Sequence, residues 1–273
     1  MTTTTSNVAG RLAGKVAIVT GAGQTPGTTI GNGKAIANLF ARAGARVLCV
    51  DLDEARGQQT VDEITAEGLE AALCVADIAT AEGADAIVAA CERTFGAPDV
   101  LVNNVGIADQ GDGLAHQLSE EAYDRTMHIN LKGAWLLTKA VLPSMFERHS
   151  GAIVNISSLA SMANASLFAY ELSKAGLNRM TTSIAQYGTS QGVRSNAIVV
   201  GLMDTPMAIS GLSRKSGVPE DELRAQRAAR VPMKRMGTGW DTAYAALFLA
   251  SEEAAFISGV LLTVDGGNSV QIG

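Results

Sequence analysis

Short apolar runs alternate along the chain with longer segments of helical periodicity. Val16–Thr20 is the first run, and glycines follow it at once. Six later runs share its apolar character: 47–51, 72–76, 100–104, 153–157, 193–200 and 261–265. Because a strand that is apolar on both faces must be covered on both sides, these runs predict seven mostly parallel strands packed between helices.

The segments between the runs carry apolar residues at helical spacing. After Gly33, a stripe follows the i, i+3, i+4, i+7 rule, and 170–187 carries a second stripe. The alternation predicts an α/β fold: a Rossmann-like, doubly wound three-layer sandwich with a mostly parallel seven-stranded sheet and right-handed crossovers. No linker divides it, so we predict one domain over 13–273. The Thr/Ser-rich residues 1–12 are predicted to form a disordered tail.

Composition and charge narrow the classes of function. The chain has 273 residues and a net charge of −6 with no basic block, which argues against nucleic acid or an anionic membrane as a main partner. No apolar run reaches membrane-spanning length and no signal peptide is recognisable, so we expect a cytoplasmic protein. The three cysteines and three histidines form no ligand cluster, so we predict free thiols and no metal site.

A glycine-rich stretch joins the first run to the first predicted helix. In this class of fold, ligands bind outside the carboxyl ends of the strands, and glycines let a pyrophosphate approach the amides of a helix N-terminus. Gly21 follows the strand, and Gly31-Asn32-Gly33 begins the helical stripe. We interpret these residues as the phosphate-binding set. An alternative reading takes Gly21, Gly23 and Gly27.

Carboxylates end the second and third strands. Asp51 lies 18 residues beyond Gly33, where its side chain can accept hydrogen bonds from both ribose hydroxyls of a dinucleotide. A 2′-phosphate would meet like-charge repulsion there, so NAD is favoured over NADP. Asp77 can accept a hydrogen bond from the adenine amino group, and capping of the following helix is the alternative.

Polar residues also end the fourth strand and interrupt a helix. Asn103 and Asn104 place amides that can brace the sheet, and Gly106 lets a cofactor pass closely. Asn130 stands in an otherwise apolar helical register, where a lone asparagine favours a kink or a cap. These residues add candidate positions to the same edge of the sheet.

A tyrosine and a lysine lie four residues apart on the longest predicted helix. Tyr170 and Lys174 share one helix face, so the phenol and the ammonium can point into one cleft. The ammonium should lower the pKa of the tyrosine, as proton transfer near neutral pH requires. Ser157-Ser158 ends the fifth run twelve residues before Tyr170. The Tyr–Lys spacing alone is common by chance, so it predicts a catalytic role only together with the polar residues at the strand ends.

These residues, in this order, resemble the short-chain dehydrogenase/reductase family, in its common single-domain branch. The resemblance runs from about residue 12 to residue 267. It is carried by Thr20-Gly21 with the glycine loop, Asp77, Asn103 to Gly106, Asn130, Ser158, Tyr170, Lys174, Asn196, Gly201, Thr205 and Val264 to Gly267. It implies a dinucleotide-binding catalytic domain and a homotetramer.

The resemblance also implies a mechanism. Tyr170 would exchange a proton with the substrate oxygen while hydride passes between the substrate carbon and nicotinamide C4. Lys174 would lower the pKa of Tyr170 and hold the nicotinamide ribose, and Ser158 would hydrogen-bond the substrate oxygen. Asn130 would brace Lys174 through water, and Thr205 would fix the nicotinamide carboxamide. The implied NAD contacts are Gly21, Gly31, Asn32, Gly33, Asp51, Leu52, Asp77, Ile78, Asn104, Val105, Gly106, Tyr170, Lys174, Gly201, Met203 and Thr205.

The chain departs from the family pattern at three places. The glycine loop carries an insertion of about six residues within 24–30, whose threonines could reach the pyrophosphate or merely lengthen the surface. Valine precedes Gly201 where the family usually has proline. The Ser158–Tyr170 separation is one residue shorter than a frequent family spacing, which Ser157 would restore. We take Ser158, because a shift along the strand would turn its side chains to the other face.

The sequence indicates less about the substrate than about the cofactor. In the family, the segment at about 204–231 folds over the substrate as a lid, and its adaptable methionines indicate an apolar ligand. Candidate substrate contacts are Ser158, Ala160, Phe168, Tyr170 and Met207. The resulting hypothesis is an NAD(H)-dependent enzyme that interconverts a secondary alcohol and a ketone.

Three other functions match parts of this pattern, two of them enzymatic and one not. Reduction of a 3-oxoacyl thioester of a carrier protein or coenzyme A would need a basic patch, and only Lys234-Arg235 and Arg214-Lys215 offer one. The lengthened glycine loop is also similar to that of enoyl reductases, but those have a longer Tyr–Lys interval. A non-enzymatic cofactor-binding regulator would need an incomplete active site. Here the four catalytic candidates are all present: Asn130, Ser158, Tyr170 and Lys174.

Overall fold

Seven parallel strands form the central sheet of the computed structural model, which describes residues 8–108, 110–163 and 165–271. The strands of this sheet are β1 (Val16–Thr20), β2 (Arg46–Asp51), β3 (Ala71–Val75), β4 (Val100–Asn103), β5 (Gly151–Ser158), β6 (Val193–Val200) and β9 (Leu261–Val264). Their order is β3-β2-β1-β4-β5-β6-β9, and every pair is parallel. The predicted fold class is confirmed, and the order reverses between β1 and β4, where ligands of such sheets bind.

Helices cover both faces of the sheet. In the described part of the chain they are α1 (Asn32–Arg42), α2 (Glu54–Ala66), α3 (Ala81–Thr94), α4 (Glu120–Met127), α5 (Ala134–Glu147), α6 (Phe168–Gly188), α7 (Pro206–Ser216), α8 (Glu220–Arg230) and α9 (Gly239–Ala250). Alternate residues of β1 show the two layers, since Ala17 and Val19 pack with α1, α2 and α9, whereas Val16 and Ile18 pack with α3, α5 and α6. Burial on both faces explains the continuous apolar runs.

The chain before β1 packs against the core. Val8 is 5% exposed and Leu12 is fully buried, and the Leu12 amide donates to the Ala43 carbonyl at 2.9 Å. The predicted disordered tail is therefore wrong for residues 8–12, because two apolar side chains one helical turn apart are buried beside α1. Residues 1–7 lie outside the described residues.

Two very short strands outside the central sheet flank the segment that contains α7 and α8. Met203–Asp204 (β7) pairs with Gly237–Thr238 (β8), so the segment that carries α7 and α8 leaves and rejoins the fold at one place. Gly217 ends α7 in the left-handed conformation (φ +74°). Gly211 lies inside α7.

The described residues contain neither a candidate membrane-spanning helix nor a candidate metal site. None of their helices is both long enough and apolar enough to cross a membrane. Across the same residues, no group of three or more His, Cys, Asp or Glu side chains could hold a metal ion.

Candidate active site

The glycine loop brings β1 against the N-terminus of α1. The helix begins at Asn32 with Gly31 as its N-cap, and a Cβ added at Gly33 would collide with the Gly21 carbonyl. A Cβ added at Gly31 would meet nothing within 4 Å, so open space adjoins the amides of the helix N-terminus. This arrangement fits a pyrophosphate and favours Gly21, Gly31 and Gly33 over the alternative set.

Asp51 is held at the carboxyl end of β2. Its Oδ2 accepts from the Gly23 amide at 2.8 Å and its Oδ1 from the Asp53 amide at 3.0 Å. Leu52 beside it is 69% exposed, and both residues line an open pocket with Arg56. The two amide bonds fix the carboxylate and leave lone pairs free for further donors.

Asp77 and Ile78 end the third strand in different ways. Asp77 Oδ1 accepts from the Ala79 amide at 2.9 Å, whereas the N-cap of α3 is Thr80. The capping alternative for Asp77 is therefore wrong. Ile78 is 6% exposed and packs beneath Gly133, so only its main chain is available to a ligand.

Asparagine amides brace the centre of the sheet, as predicted. Asn103 Nδ2 donates to Asn155 Oδ1 at 2.8 Å across β4 and β5. Asn104 Nδ2 donates to the carbonyls of Thr20 and Gly21, which locks the end of β1 to the end of β4. The bonds hold the glycine loop beside Val105 and Gly106.

Asn130 lies in a π-helical turn, His128–Gly133, between α4 and α5. Its side chain is fully buried, accepts from the Ile107 amide at 2.8 Å and donates to the Ile107 carbonyl and to Ser173 Oγ. A π turn widens the helix and is frequent at functional sites. The lone asparagine of the sequence therefore marks a real irregularity, and its amide ties the loop after β4 to α6.

Tyr170 and Lys174 emerge from the first turns of α6, with Ser158 facing them from the end of β5. The Ser158 hydroxyl lies close enough to the Tyr170 phenol to influence its pKa, and Lys174 Nζ lies 5.7 Å from the centre of the Tyr170 ring. Lys174 Nζ donates to the Ile156 carbonyl at 2.9 Å, and a Cβ added at Gly106 would lie 3.0 Å from it. The predicted Ser–Tyr–Lys set is thus brought together beside the close approach of Gly106.

The pKa shifts at this site differ from the sequence-based prediction. Burial raises the pKa of Tyr170, and the nearby Ser158 hydroxyl opposes that effect without cancelling it. The predicted lowering of the Tyr170 pKa is therefore wrong for this arrangement. Burial also lowers the pKa of Lys174 to about 8. Both shifts have one physical cause, since a desolvated site disfavours the charged form of each group.

The two serines at the end of β5 face opposite ways. Ser157 is buried and its hydroxyl donates to the Lys174 carbonyl at 3.4 Å, away from the phenol. Ser158 accepts from the Ala160 amide at 3.2 Å and meets Tyr170. The preference for Ser158 agrees with this geometry, because successive side chains of a strand point to opposite faces.

Sequence reasoning missed Asp112, which caps the helix that carries Tyr170. Its carboxylate is 8% exposed and accepts from the Ala169 amide at 3.1 Å and from the Tyr170 amide at 2.9 Å. A carboxylate stabilises a helix N-terminus by pairing free amides and by its charge. Asp112 precedes the helix by more than fifty residues, so no local sequence signal could have shown this cap.

The residues after β6 that are predicted to contact the cofactor have no side chain or a buried one. A Cβ added at Gly201 would lie 2.6 Å from Asp265 Cβ, and the Met203 side chain is buried against Gly237. Met203 is a predicted NAD contact, and because its side chain is buried, only its main chain can face a ligand. Thr205 is 6% exposed and its hydroxyl caps α7 by accepting from the Ala208 amide at 3.4 Å.

The predicted substrate contacts differ in exposure. Phe168 begins α6 and is 38% exposed, and Met207 in the first turn of α7 is 55% exposed. Ala160 is half-buried in the short turn that follows Ser158. The exposed apolar surface at the starts of α6 and α7 is available to an apolar ligand.

Comparison with known proteins gives consistent matches over the chain. A family model described as enoyl-(acyl carrier protein) reductase matches residues 27–269. The 2-(R)-hydroxypropyl-CoM dehydrogenase of Xanthobacter autotrophicus is 38% identical, covering 92% of this chain and 97% of that protein. The 3-oxoacyl-[acyl-carrier-protein] reductase FabG of Vibrio cholerae is 37% identical, covering 94% and 98%. A solved structure assigned to the short-chain dehydrogenases/reductases, from Burkholderia xenovorans, has 41% identity and a TM-score of 0.88, covering 97% and 100%.

These matches agree with the arrangement of the site. A hydroxyl pair can hold a substrate oxygen and exchange a proton with it, and the buried lysine lies beside the phenol. The glycine loop, Asp51 and Gly106 lie along the strand ends, where sheets of this class bind dinucleotides. The chain is therefore an oxidoreductase that belongs to the short-chain dehydrogenase/reductase family.

Proposed function

We propose that the protein is an NAD(H)-dependent oxidoreductase that interconverts a secondary alcohol and a ketone. The observation that carries this proposal is the pair of Ser158 and Tyr170 hydroxyls, which lie near each other beside buried Lys174. Two hydroxyls converging on one point suit a single substrate oxygen, which must gain a proton on reduction and lose it on oxidation.

The chain's own residues supply binding, orientation and proton transfer. A bound nicotinamide supplies or accepts the hydride. Tyr170 gives its phenol proton to the substrate oxygen on reduction and recovers it on oxidation, and Ser158 polarises the carbonyl. Lys174 stabilises the phenolate that proton donation leaves. Asn130 keeps the loop after β4 and α6 in register through its bonds to Ile107 and Ser173.

The charge around β2 supports NAD rather than NADP. Asp51 is fixed by two amides, and Asp53 and Glu54 follow it in the same pocket. Arg56 is the cation in the lining of that pocket, and its guanidinium is paired with Asp53 at 3.0 Å. A 2′-phosphate would add negative charge beside these carboxylates, whereas ribose hydroxyls can donate to Asp51.

An apolar substrate is supported by the surface near the hydroxyl pair. We infer that α7 and α8, called the lid helices below, cover the substrate over about 204–231. Exposed Met207 and Phe168 would contact its apolar body. A relative named for a hydroxypropyl substrate supports an alcohol as the reduced form.

Reduction of a 3-oxoacyl thioester is the second candidate, favoured by the similarity to the Vibrio reductase. Its expected basic patch is weakened by pairing, since Arg235 binds both oxygens of Asp241 and Lys234 Nζ donates to the Ala229 carbonyl. The intact hydroxyl pair argues against a purely regulatory protein.

A substrate screen tests these proposals directly. Purified protein is mixed with NAD or NADP and a panel of aliphatic, alicyclic and aromatic secondary alcohols, and formation of reduced nicotinamide is followed by absorbance. We expect turnover with NAD at least tenfold more efficient than with NADP, on the order of one carboxylate–phosphate repulsion. The reverse assay with NADH and acetoacetyl-CoA is run beside it. Turnover of the thioester alone would replace the alcohol proposal by the second candidate.

Self-association and location complete the proposal. Trp135, Leu172 and Tyr187 expose apolar surface on α5 and α6, which supports the homotetramer expected from the family. Light scattering after gel filtration measures the mass, and a monomer at micromolar concentration would contradict it. The free, largely buried cysteines support a reducing cytoplasmic location, which fractionation of the source cells would test.

A further inference from the structure

The inserted loop 24–30 contacts the lid helices rather than lying free on the surface. Gly27 faces α7 so closely that an added Cβ would lie 2.7 Å from Pro206 Cβ and 3.0 Å from Ser210 Oγ. Thr28 Oγ1 accepts from Arg224 Nη2 of α8 at 2.9 Å. The loop therefore touches both lid helices, one by packing and one by a charge-assisted hydrogen bond.

Arg224 joins this contact to the base of the lid. Its Nε donates to the Asp204 carboxylate at 3.2 Å, where the lid segment leaves the fold. The same guanidinium pairs with Glu220 at 2.9 Å and with Asp221 at 3.1 Å, in the first turn of α8. One side chain thus links the inserted loop, the start of the lid segment and the second lid helix.

The N-terminal end of the loop is hydrogen-bonded to Gly31, a member of the phosphate-binding set. Gln24 Oε1 accepts from the amide of Gly31, the N-cap of α1, at 3.2 Å. Amides at that position are the donors that an anion binds at a helix N-terminus. A phosphate that takes the Gly31 amide must displace the Gln24 side chain.

We propose that loop 24–30 is the docking surface of the lid, and that Arg224 is the positioning residue that holds the lid there. We further infer that binding of the cofactor pyrophosphate loosens this docking by displacing Gln24 from Gly31, so that the lid is released for substrate once the cofactor is bound. The release step rests on the proposed function, whereas the docking step does not.

The docking step is tested without any ligand by amide hydrogen exchange of the lid helices. Thr28→Val and Arg224→Met should speed exchange over 206–230 about threefold to tenfold, as expected for loss of a hydrogen bond to a charged group. Thr28→Ser keeps the hydroxyl and should match the wild type. Arg230→Met removes an exposed arginine of the same helix that has no ion pair within the described residues, so it controls for loss of charge. Wild-type exchange in both Thr28→Val and Arg224→Met would overturn the docking.

The release step is tested with NADH, whose binding is measured separately by the fluorescence of the reduced nicotinamide. Saturating NADH should speed exchange of α8 about threefold in the wild type, and Gln24→Ala should produce the same effect without NADH. In Thr28→Val the added effect of NADH on α8 should disappear. Bound NADH that slows or does not change exchange of α8 would overturn the release step. Failure of the wild type to bind NADH would overturn the proposed cofactor together with the release step, while docking would still be decided by the first measurement.

Discussion

The two sides of the cleft hold their polar groups in opposite ways. Around Tyr170 the network is buried: Asn130 and Ser173 are fully enclosed and Lys174 is 3% exposed. Around Arg224 it is open, with 22% of that side chain exposed and Asp221 99% exposed. A broken bond in the first network leaves an unpaired buried group, at a cost of about 1–3 kcal/mol, whereas an exposed ion pair contributes at most about 1 kcal/mol. The proposed proton transfer therefore lies on the side held by buried bonds, and the proposed entry of ligands lies on the side held by weaker, exposed bonds.

The largest effect should come from the buried side. Tyr170→Phe removes the group that exchanges the proton and keeps the ring that fills its place, so kcat should fall about 10³-fold. The dissociation constant for NADH should change less than about threefold, because the loop and Asp51 are untouched. Steady-state kinetics and a fluorescence titration measure the two quantities. Tyr187→Phe, an exposed tyrosine on the same helix, is the control, and a Tyr170→Phe enzyme of near-normal activity would remove Tyr170 from the chemistry.

Lys174 gives a test of burial that depends on pH. Its pKa is lowered to about 8 in the folded protein from 10.5, so the unfolded chain binds this proton more tightly. Below pH 8 both states carry the proton, and the folded state is destabilised by the full cost of burying the charged ammonium. As pH rises from about 8 to 10.5, the unfolded state alone stays protonated, and stability contributed by this group increases. The total change corresponds to about 3 kcal/mol, as an upper figure.

Lys174→Met isolates that contribution. The difference in unfolding free energy, wild type minus variant, should increase between pH 7 and pH 10, because the other titrating groups are common to both proteins. Denaturant unfolding at several pH values measures it. A difference that stays flat or falls over this range would show that the lysine keeps an ordinary pKa. The variant should also lose activity, since nothing then stabilises the phenolate.

Asp51 tests the proposed preference for NAD over NADP. Asp51→Ala removes the acceptor for ribose hydroxyls and the charge that repels a 2′-phosphate, so the NAD over NADP preference in kcat/KM should fall about tenfold or more. Glu54→Ala, from the same pocket, removes a charge without removing that acceptor and should change the preference much less. An unchanged preference in Asp51→Ala would exclude this carboxylate from the ribose site.

Sequence predicted the parts of the molecule that are encoded locally. The continuous apolar runs gave the parallel sheet because burial on both faces leaves no other pattern. The start of α1 at Asn32 and the choice of Ser158 followed from helix periodicity and strand alternation, which depend on neighbours along the chain.

What escaped prediction depends on contacts between distant segments. The sign of the Tyr170 pKa shift depends on burial of the phenol by distant segments, and a charge-pair argument from Tyr-x3-Lys contains no burial. Val8 and Leu12 looked like part of a polar tail until α1 and β2 provided a surface for them. The contacts of the inserted loop with α7 and α8 join residues nearly two hundred positions apart.

Asp112 offers the smallest test, because it acts on Tyr170 only through the main chain. Asp112→Asn keeps the size of the side chain but replaces one acceptor oxygen by an NH₂ group that faces a helix amide. We expect a loss of about 1–2 kcal/mol in unfolding free energy, as for removal of a helix cap. The kcat should fall by a small factor while KM changes little, since the phenol shifts relative to Ser158 and the lid is untouched. Asp85→Asn, an exposed aspartate on α3, should change neither quantity. If Asp112→Asn also changes neither, the cap contributes no more to the buried side than an exposed ion pair does, and rigidity there comes from Asn130 and Lys174 alone.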